Sequence, residues 1–179
     1  MSKSVTINDL EVQTALAKLA QQIRNKDPVL NAIGGEVLKR VQMNFRNSQS
    51  PEGAPWAPLK KRAGKPLLDT TRLRNSITYQ VSGDSVNVGT NVIYAAIHQF
   101  GGNIDHAARS QQAYFKKNKA GIGNKFVKKS RSNFSQWVTI GAHSVTIPAR
   151  PFLPTNGLPD PWRNSILKII QRHLQAAIN

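Results

Sequence analysis

The stretch Ile147-Pro-Ala-Arg-Pro-Phe-Leu153 holds one arginine between two prolines and ends in two large apolar residues. A guanidinium on stiff backbone can clamp a carboxylate or carbonyl, in a substrate or at a docking edge. Bond-making chemistry needs acids, bases or nucleophiles that converge. The four histidines, His98, His106, His143 and His173, stand apart in the sequence, with no His-x-x-x-His pair. Cysteine is absent, which excludes disulfides and thiolate metal sites, and a zinc site would need carboxylates that are scarce. The nine Asp and Glu are scattered, which argues against two-metal nuclease chemistry and paired-carboxylate glycoside hydrolysis. There is no Walker loop, no Gly-x-Gly-x-x-Gly after a strand and no Gly-x-Ser-x-Gly elbow. The expectation is no catalytic residue, no metal and no cofactor, with each histidine read as structural.

Charge is the loudest global signal. Lys and Arg number 25 against 9 acids, a formal net of +16 over 179 residues. Such a surplus attracts polyanions, and it serves equally as a solvated surface. It concentrates between His106 and Asn133, where Arg109, Lys116, Lys117, Lys119, Lys125, Lys128, Lys129 and Arg131 stand with no acid among them. Tyr114, Phe115, Phe126 and Phe134 are interleaved, and glycines break the stretch. It reads as a mobile basic arm, residues 106–134. Its lysines and Arg131 are candidate contacts for nucleic acid or an acidic partner. The aromatics could stack on bases or pin the arm to the body. The start, "MSKSVTINDLEVQ", lacks the order of a signal peptide, and no apolar run approaches a membrane span. A soluble chain made in a cytoplasm, without membrane contact, is expected.

The elements around these residues follow from period and punctuation. Leu10, Leu16, Leu19, Ala20 and Ile23 suggest a helix over 8–25, with Asn8 or Asp9 as cap. Asp27-Pro28 reads as cap and first helical residue of a helix over 28–46, with the stripe Leu30, Ile33, Val37, Val41 and Phe45. The pair Gly34-Gly35 weakens that helix unless close packing requires it. Residues 47–66 are loop, and Trp56 within it either covers a core edge or forms an exposed contact. Asp69 can cap a short turn that carries Leu73. Residues 77–88 alternate around Ser82-Gly83-Asp84 as a hairpin. Tyr94, Ile97 and His98 share a face if 94–100 is helical, and Gly101-Gly102 stops it; a strand is the alternative. Trp137 to Ile140 and Val145 to Ile147 read as two strands around Gly141-Ala142. Asp160-Pro161 opens a last helix over 160–178, with the stripe Trp162, Ile166, Ile169, Ile170, His173, Leu174 and Ile178. The fold class is α+β: a small antiparallel sheet, from 77–105 and 137–153, packed against N-terminal and C-terminal helices, with a long basic loop insertion. One domain over 1–179 is expected.

Five pieces in order carry a resemblance: Phe45, "SPEGAPWAPLK" (50–60), "LLDTTRLRNSI" (67–77), "VGTNVIYAAIHQFGG" (88–102) and "IPARPFL" (147–153). Together they resemble the phage virion morphogenesis family, the tail-completion proteins of contractile-tailed phages and Mu-like prophages. The chain departs where that family tends to carry Thr-Gly, having Thr70-Thr71 before Arg72 and Leu73. If the glycine there supplies a positive φ, Thr71 must turn differently. The resemblance implies a non-enzymatic structural protein of the tail or neck, in the virion and in the host cytoplasm during assembly. It implies a homo-oligomeric ring, six-fold, around the DNA channel, with tail and head-connector proteins as neighbours; non-specific DNA contact is the expectation that the basic arm adds. Trp56, Tyr94, His98, Phe100, Gly101, Arg150 and Phe152 become candidates for a subunit interface or a structural motif. Pro148 and Pro151 confine Arg150 to an extended edge. From there it reaches residues 94–102 or an adjacent protomer, or it ties down its own loop. A stand-alone nucleic-acid-binding protein and a phage hydrolase are the rival functions.

Overall fold

The computed structural model describes residues 10–60, 62–123 and 125–178. Asn8 and Asp9 lie outside the described residues, as do the side chains of Ile23 and Ile178. The chain forms two compact units, Met1–Phe100 with Pro148–Asn179, and Gly101–Ile147.

The first unit is helical at both ends of the chain, with a hairpin between. Helix α1 (Leu10–Arg24) packs on α5 (Asp160–Ile178), and α5 packs on α2 (Asp27–Asn47). Helix α2 begins one residue earlier than the 28–46 read from sequence, and α5 begins at Asp160, as read. Asp27 and Asp160 are the first helical residues, not caps, and Lys26 stands at the α2 cap position without a side-chain bond to the helix end. Their carboxylates still complement the positive end of each helix. The α2 stripe does what its spacing requires: Val37, Val41 and Phe45 are buried, and Ile33 packs against them. On α5, Trp162 is buried and Ile166 joins the same cluster. Arg40 ties the two helices, bonding Ser165 while its guanidinium sits 6.0 Å from the Trp162 ring. The α1 stripe behaves differently. Leu10 is 77% and Leu16 60% exposed, so α5 covers only part of it.

Strands β1 (Thr78–Ser82) and β2 (Ser85–Gly89) form the hairpin read from alternation, closed by Gly83-Asp84 with Gly83 at φ 56°. The hairpin lies on α2, and this explains Gly34. A methyl there would come within 2.3 Å of the Tyr79 ring, whereas one on Gly35 would meet nothing within 4 Å. Helix α3 (Arg72–Asn75) buries Leu73. Its cap position belongs to Thr71, not Asp69, which instead approaches Arg62 at 3.6 Å. Thr71 keeps the left-handed conformation itself, φ 57°. The expectation of a different turn fails there, and a β-branched residue bears the strain. Residues 95–100 resolve as helix α4 (Ala95–Phe100), stopped by Gly101 at φ 73° and Gly102 at φ 150°.

The second unit is a ribbon. Strand β3 (Gly102–His106) pairs antiparallel with β8 (His143–Ile147), and β4 (Arg109–Phe115) with β7 (Phe134–Ile140). The two strands around Gly141-Ala142 therefore exist, but they pair with β3 and β4 and not with each other. His106 faces His143 and Arg109 faces Ile140, so two residues stand opposite two across the gap and the register continues unchanged. Beyond it, β5 (Lys117–Asn118) and β6 (Gly121–Ile122) make a small hairpin. The residues read as a mobile arm are folded. Val127 and Asn133 donate backbone N–H groups to Tyr114 and Phe115, and Phe126 packs on Phe115 at 5.3 Å between centroids. Ala113 and Phe115 are buried beneath them.

Candidate functional site

The residues that carry the resemblance meet in the first unit. Two prolines prevent the 148–153 segment from joining a regular ladder, so its backbone needs other partners. It finds them in side chains from three separate elements. Trp56 donates its indole N–H to Pro151 O at 2.8 Å. Asn44, buried on α2, donates to Phe152 O at 3.3 Å. Gln99, buried on α4, accepts from Phe152 N at 2.9 Å and Leu153 N at 3.1 Å, and donates to Leu153 O at 2.7 Å. Arg150 N donates to His98 O at 2.7 Å. Phe152 is 1% exposed and lies 5.2 Å from Phe45, which meets Trp56 edge-on at 5.5 Å. Burying a phenylalanine this fully contributes about 2–3 kcal/mol, and the polar clasp fixes where it enters.

Arg150 is turned inward, only 7% exposed. Its Nε donates to Ala57 O at 2.9 Å and its Nη2 to Pro58 O at 3.3 Å, tying down the 47–66 loop. The side chain thus satisfies carbonyls of that loop, and its hydrogen bond to α4 comes from the backbone. Burial opposes the guanidinium charge and lowers its pKa. His98 is half-buried, edge-on to Tyr94 at 5.8 Å. Burial first, then the charge of Arg150, hold its imidazole below the ordinary value, which favours the neutral ring.

The predicted set thus divides. Trp56, Arg150 and Phe152 form the clasp, with His98 at its edge. Tyr94 is 40% and Phe100 71% exposed, and Ile93 beside them, not singled out from the sequence, is 98% exposed. Gly101 belongs to the second unit and is half-buried. Sequence reasoning missed Asn44 and Gln99, whose signal is a polar residue at an otherwise apolar position. Lys116, Lys117, Lys119, Lys125, Lys128, Lys129 and Arg131 are all exposed at the ribbon's far end. Asn133 bonds Lys117 N at 2.6 Å and Lys117 O at 2.7 Å, so these charges ride on an ordered scaffold. His106 and His143, distant in sequence, stack across the ribbon at 5.0 Å. Among the described residues no three His, Asp or Glu side chains are grouped to hold a metal.

Comparison with known proteins completes the picture. The profile of the phage virion morphogenesis family matches residues 7–175, which takes in the clasp and the ribbon. The chain belongs to the phage virion morphogenesis family. A curated relative, Mu-like prophage FluMu G protein 2 of Haemophilus influenzae, is 36% identical over 146 residues, 82% of this chain and 78% of that protein. No solved structure matches the chain. As a member of the virion morphogenesis family, the protein takes part in phage virion assembly. Among the described residues of this family member, no helix is long and apolar enough to cross a membrane.

Proposed function

We propose that the chain is a non-enzymatic structural protein that completes the tail or neck and makes it competent for head–tail joining. It works as a ring of copies, six-fold, around the channel through which DNA passes, beside tail and head-connector proteins. The observation that carries this reading is the clasp. The polar groups that hold the 150–153 segment, Asn44, Trp56, Gln99 and Arg150, bond the chain's own backbone. Side chains committed in this way build a rigid body and do not themselves present a group that acts on a substrate. Ile93, Tyr94 and Phe100 then offer exposed apolar side chains for contact between subunits. Electron microscopy of particles lacking the chain tests the role. Filled heads beside separate tails are expected for a joining factor and aberrant tails for a tail-end factor. Normal infectious virions refute both.

A second reading, a non-specific nucleic-acid-binding protein, draws on the ordered basic end of the ribbon. It requires the free monomer to bind DNA with an affinity that falls steeply with salt and ignores sequence. Replacing Lys116, Lys117, Lys125, Lys128 and Lys129 by Gln should then flatten the salt dependence. No DNA binding by the wild-type chain at low salt removes this reading.

A further inference from the structure

Arg150 presents a charge problem that its own unit does not solve. Its partners Ala57 O and Pro58 O are neutral, and it joins none of the ion pairs among the described residues. Buried cations are ordinarily paired with an anion, because neutral acceptors do not replace the lost hydration of a full charge. Among the described residues Nη1 takes no bond, and the guanidinium lines a cleft of about 200 Å³. His98 lines the same cleft, and its Nδ1 is buried without a hydrogen-bond partner. A buried polar atom without a partner needs something to reach it.

The surroundings select the missing group. Arg62 and Arg72 stand at the cleft with Arg150, against one carboxylate, Asp69, which pairs with Arg62 at 3.6 Å. The side chain of Arg72 makes no ion pair among the described residues. Two guanidinium charges thus remain uncompensated around a neutral imidazole. Leu59, Leu67 and Leu73 supply apolar wall, which suits the methylene stem of an acidic side chain. A duplex phosphate suits it poorly: it rides on a convex backbone flanked by sugars and is poorly shaped to reach the floor of a cleft formed by a residue that is 7% exposed.

We propose that this cleft, between the 59–73 loop and α4, receives the carboxylate of a Glu or Asp side chain from a neighbouring protein subunit. Arg150 forms its floor and Arg72 its outer clamp. Arginine forks match a carboxylate in two parallel bonds, which fixes orientation as well as position. His98, kept neutral, can donate one further hydrogen bond to the carboxylate when its tautomer places the proton on Nδ1. Arg150 then has two tasks: inward it holds the loop, and through Nη1 it reads the partner. The source of the carboxylate rests on the assembly role proposed above; the cleft's chemistry does not.

The probe is acetate. Protein labelled with ¹⁵N in arginine and histidine is titrated with sodium acetate at pH 7, against sodium chloride at equal ionic strength. Saturable shifts of the Arg150 and His98 side-chain nitrogens are expected, with half-saturation on the order of 10 mM for so small an anion. Arg72→Gln, at an exposed position, should leave the melting temperature unchanged and weaken acetate binding about fivefold or more. Equal responses to acetate and chloride, or an Arg72→Gln protein that binds as tightly as wild type, overturn the proposal. So does inorganic phosphate binding in preference to acetate. Sedimentation velocity distinguishes the sources: self-association reversed by acetate marks a second copy, and a monomer that binds acetate marks another virion protein. A flat titration removes the cleft and leaves the assembly role standing. Normal virions without the chain remove the role and leave the titration standing.

Discussion

Gln99→Leu removes one side chain and three hydrogen bonds at once. Gln99 Oε1 accepts from Phe152 N and Leu153 N, and Nε2 donates to Leu153 O. Phe152 is 1% exposed, so its orphaned N–H cannot reach water, which costs about 1–3 kcal/mol. The Leu153 groups are half-buried and recover part of their loss by hydration, adding about 1 kcal/mol. A total of about 2–4 kcal/mol is a large fraction of the stability of an ordinary domain. In urea the midpoint should fall by about 1–2 M. Gln99→Glu sharpens the test. The introduced carboxylate still accepts from both N–H groups, but its second oxygen would lie near Leu153 O, where Nε2 now sits at 2.7 Å. Protonation restores a donor there, so the folded state raises the carboxyl pKa above its unfolded value of about 4.3. The stability of Gln99→Glu relative to wild type is therefore kept below that unfolded value and lost as pH rises through the raised one. Urea unfolding of wild type and both variants at several pH values reads these differences. A Gln99→Leu loss below about 1 kcal/mol, or a Gln99→Glu deficit that ignores pH, refutes the clasp as the anchor of the 150–153 segment.

The paired glycines should respond in opposite directions. Gly34→Ala drives a methyl into the Tyr79 ring and should cost about 1–3 kcal/mol. Gly35→Ala meets nothing and should gain about 0.5–1 kcal/mol; equal effects by thermal melting contradict the packing of the hairpin on α2. Thr71→Gly relieves a left-handed β-branched residue and should raise stability by up to about 1 kcal/mol, less what the Asn75 bond at 3.3 Å contributes. A lower melting temperature than wild type opposes this. Arg150→Ala should cost about 2–4 kcal/mol through two lost charged bonds to the 47–66 loop, with protease cutting in that loop accelerated. His98 has a lowered folded pKa, so its contribution is complete above the unfolded value near 6.5 and lost as pH falls through the folded one. His98→Gln should flatten that limb of the stability profile, and an unaltered limb assigns it to other groups.

Local pattern carried the elements whose partners lie close in sequence or whose stripe is long. The 77–88 hairpin was legible because alternation and Gly83-Asp84 act within a dozen residues, and α2 because five apolar residues repeat along one face. What escaped depends on residues far apart. The strand at 134–140 pairs with 109–115 across an intervening knob, and nothing local selects that partner over the nearer 143–147. His106 and His143 look isolated until the register sets them opposite each other. Asn44 and Gln99 drew no notice because polarity at a helix position usually means solvent. Here they serve backbone that prolines leave without ladder partners. Of the candidate site, Arg150, Phe152 and Trp56 were each legible from stiffness or aromatic size, but their meeting in one place was not. The direction of the Arg150 side chain was not, since proline geometry fixes where the backbone runs and not which carbonyls lie beside it.

The unbroken register of the 102–147 ribbon makes its length an adjustable quantity. Removing two residues from each strand draws the charged knob in by roughly 6–7 Å and keeps the same face forward. Removing one from each turns that face over. A phage lineage could thus fit the same clasped body to a wider or narrower neighbour by paired deletions alone, as a surveyor resets a rod without recutting its foot.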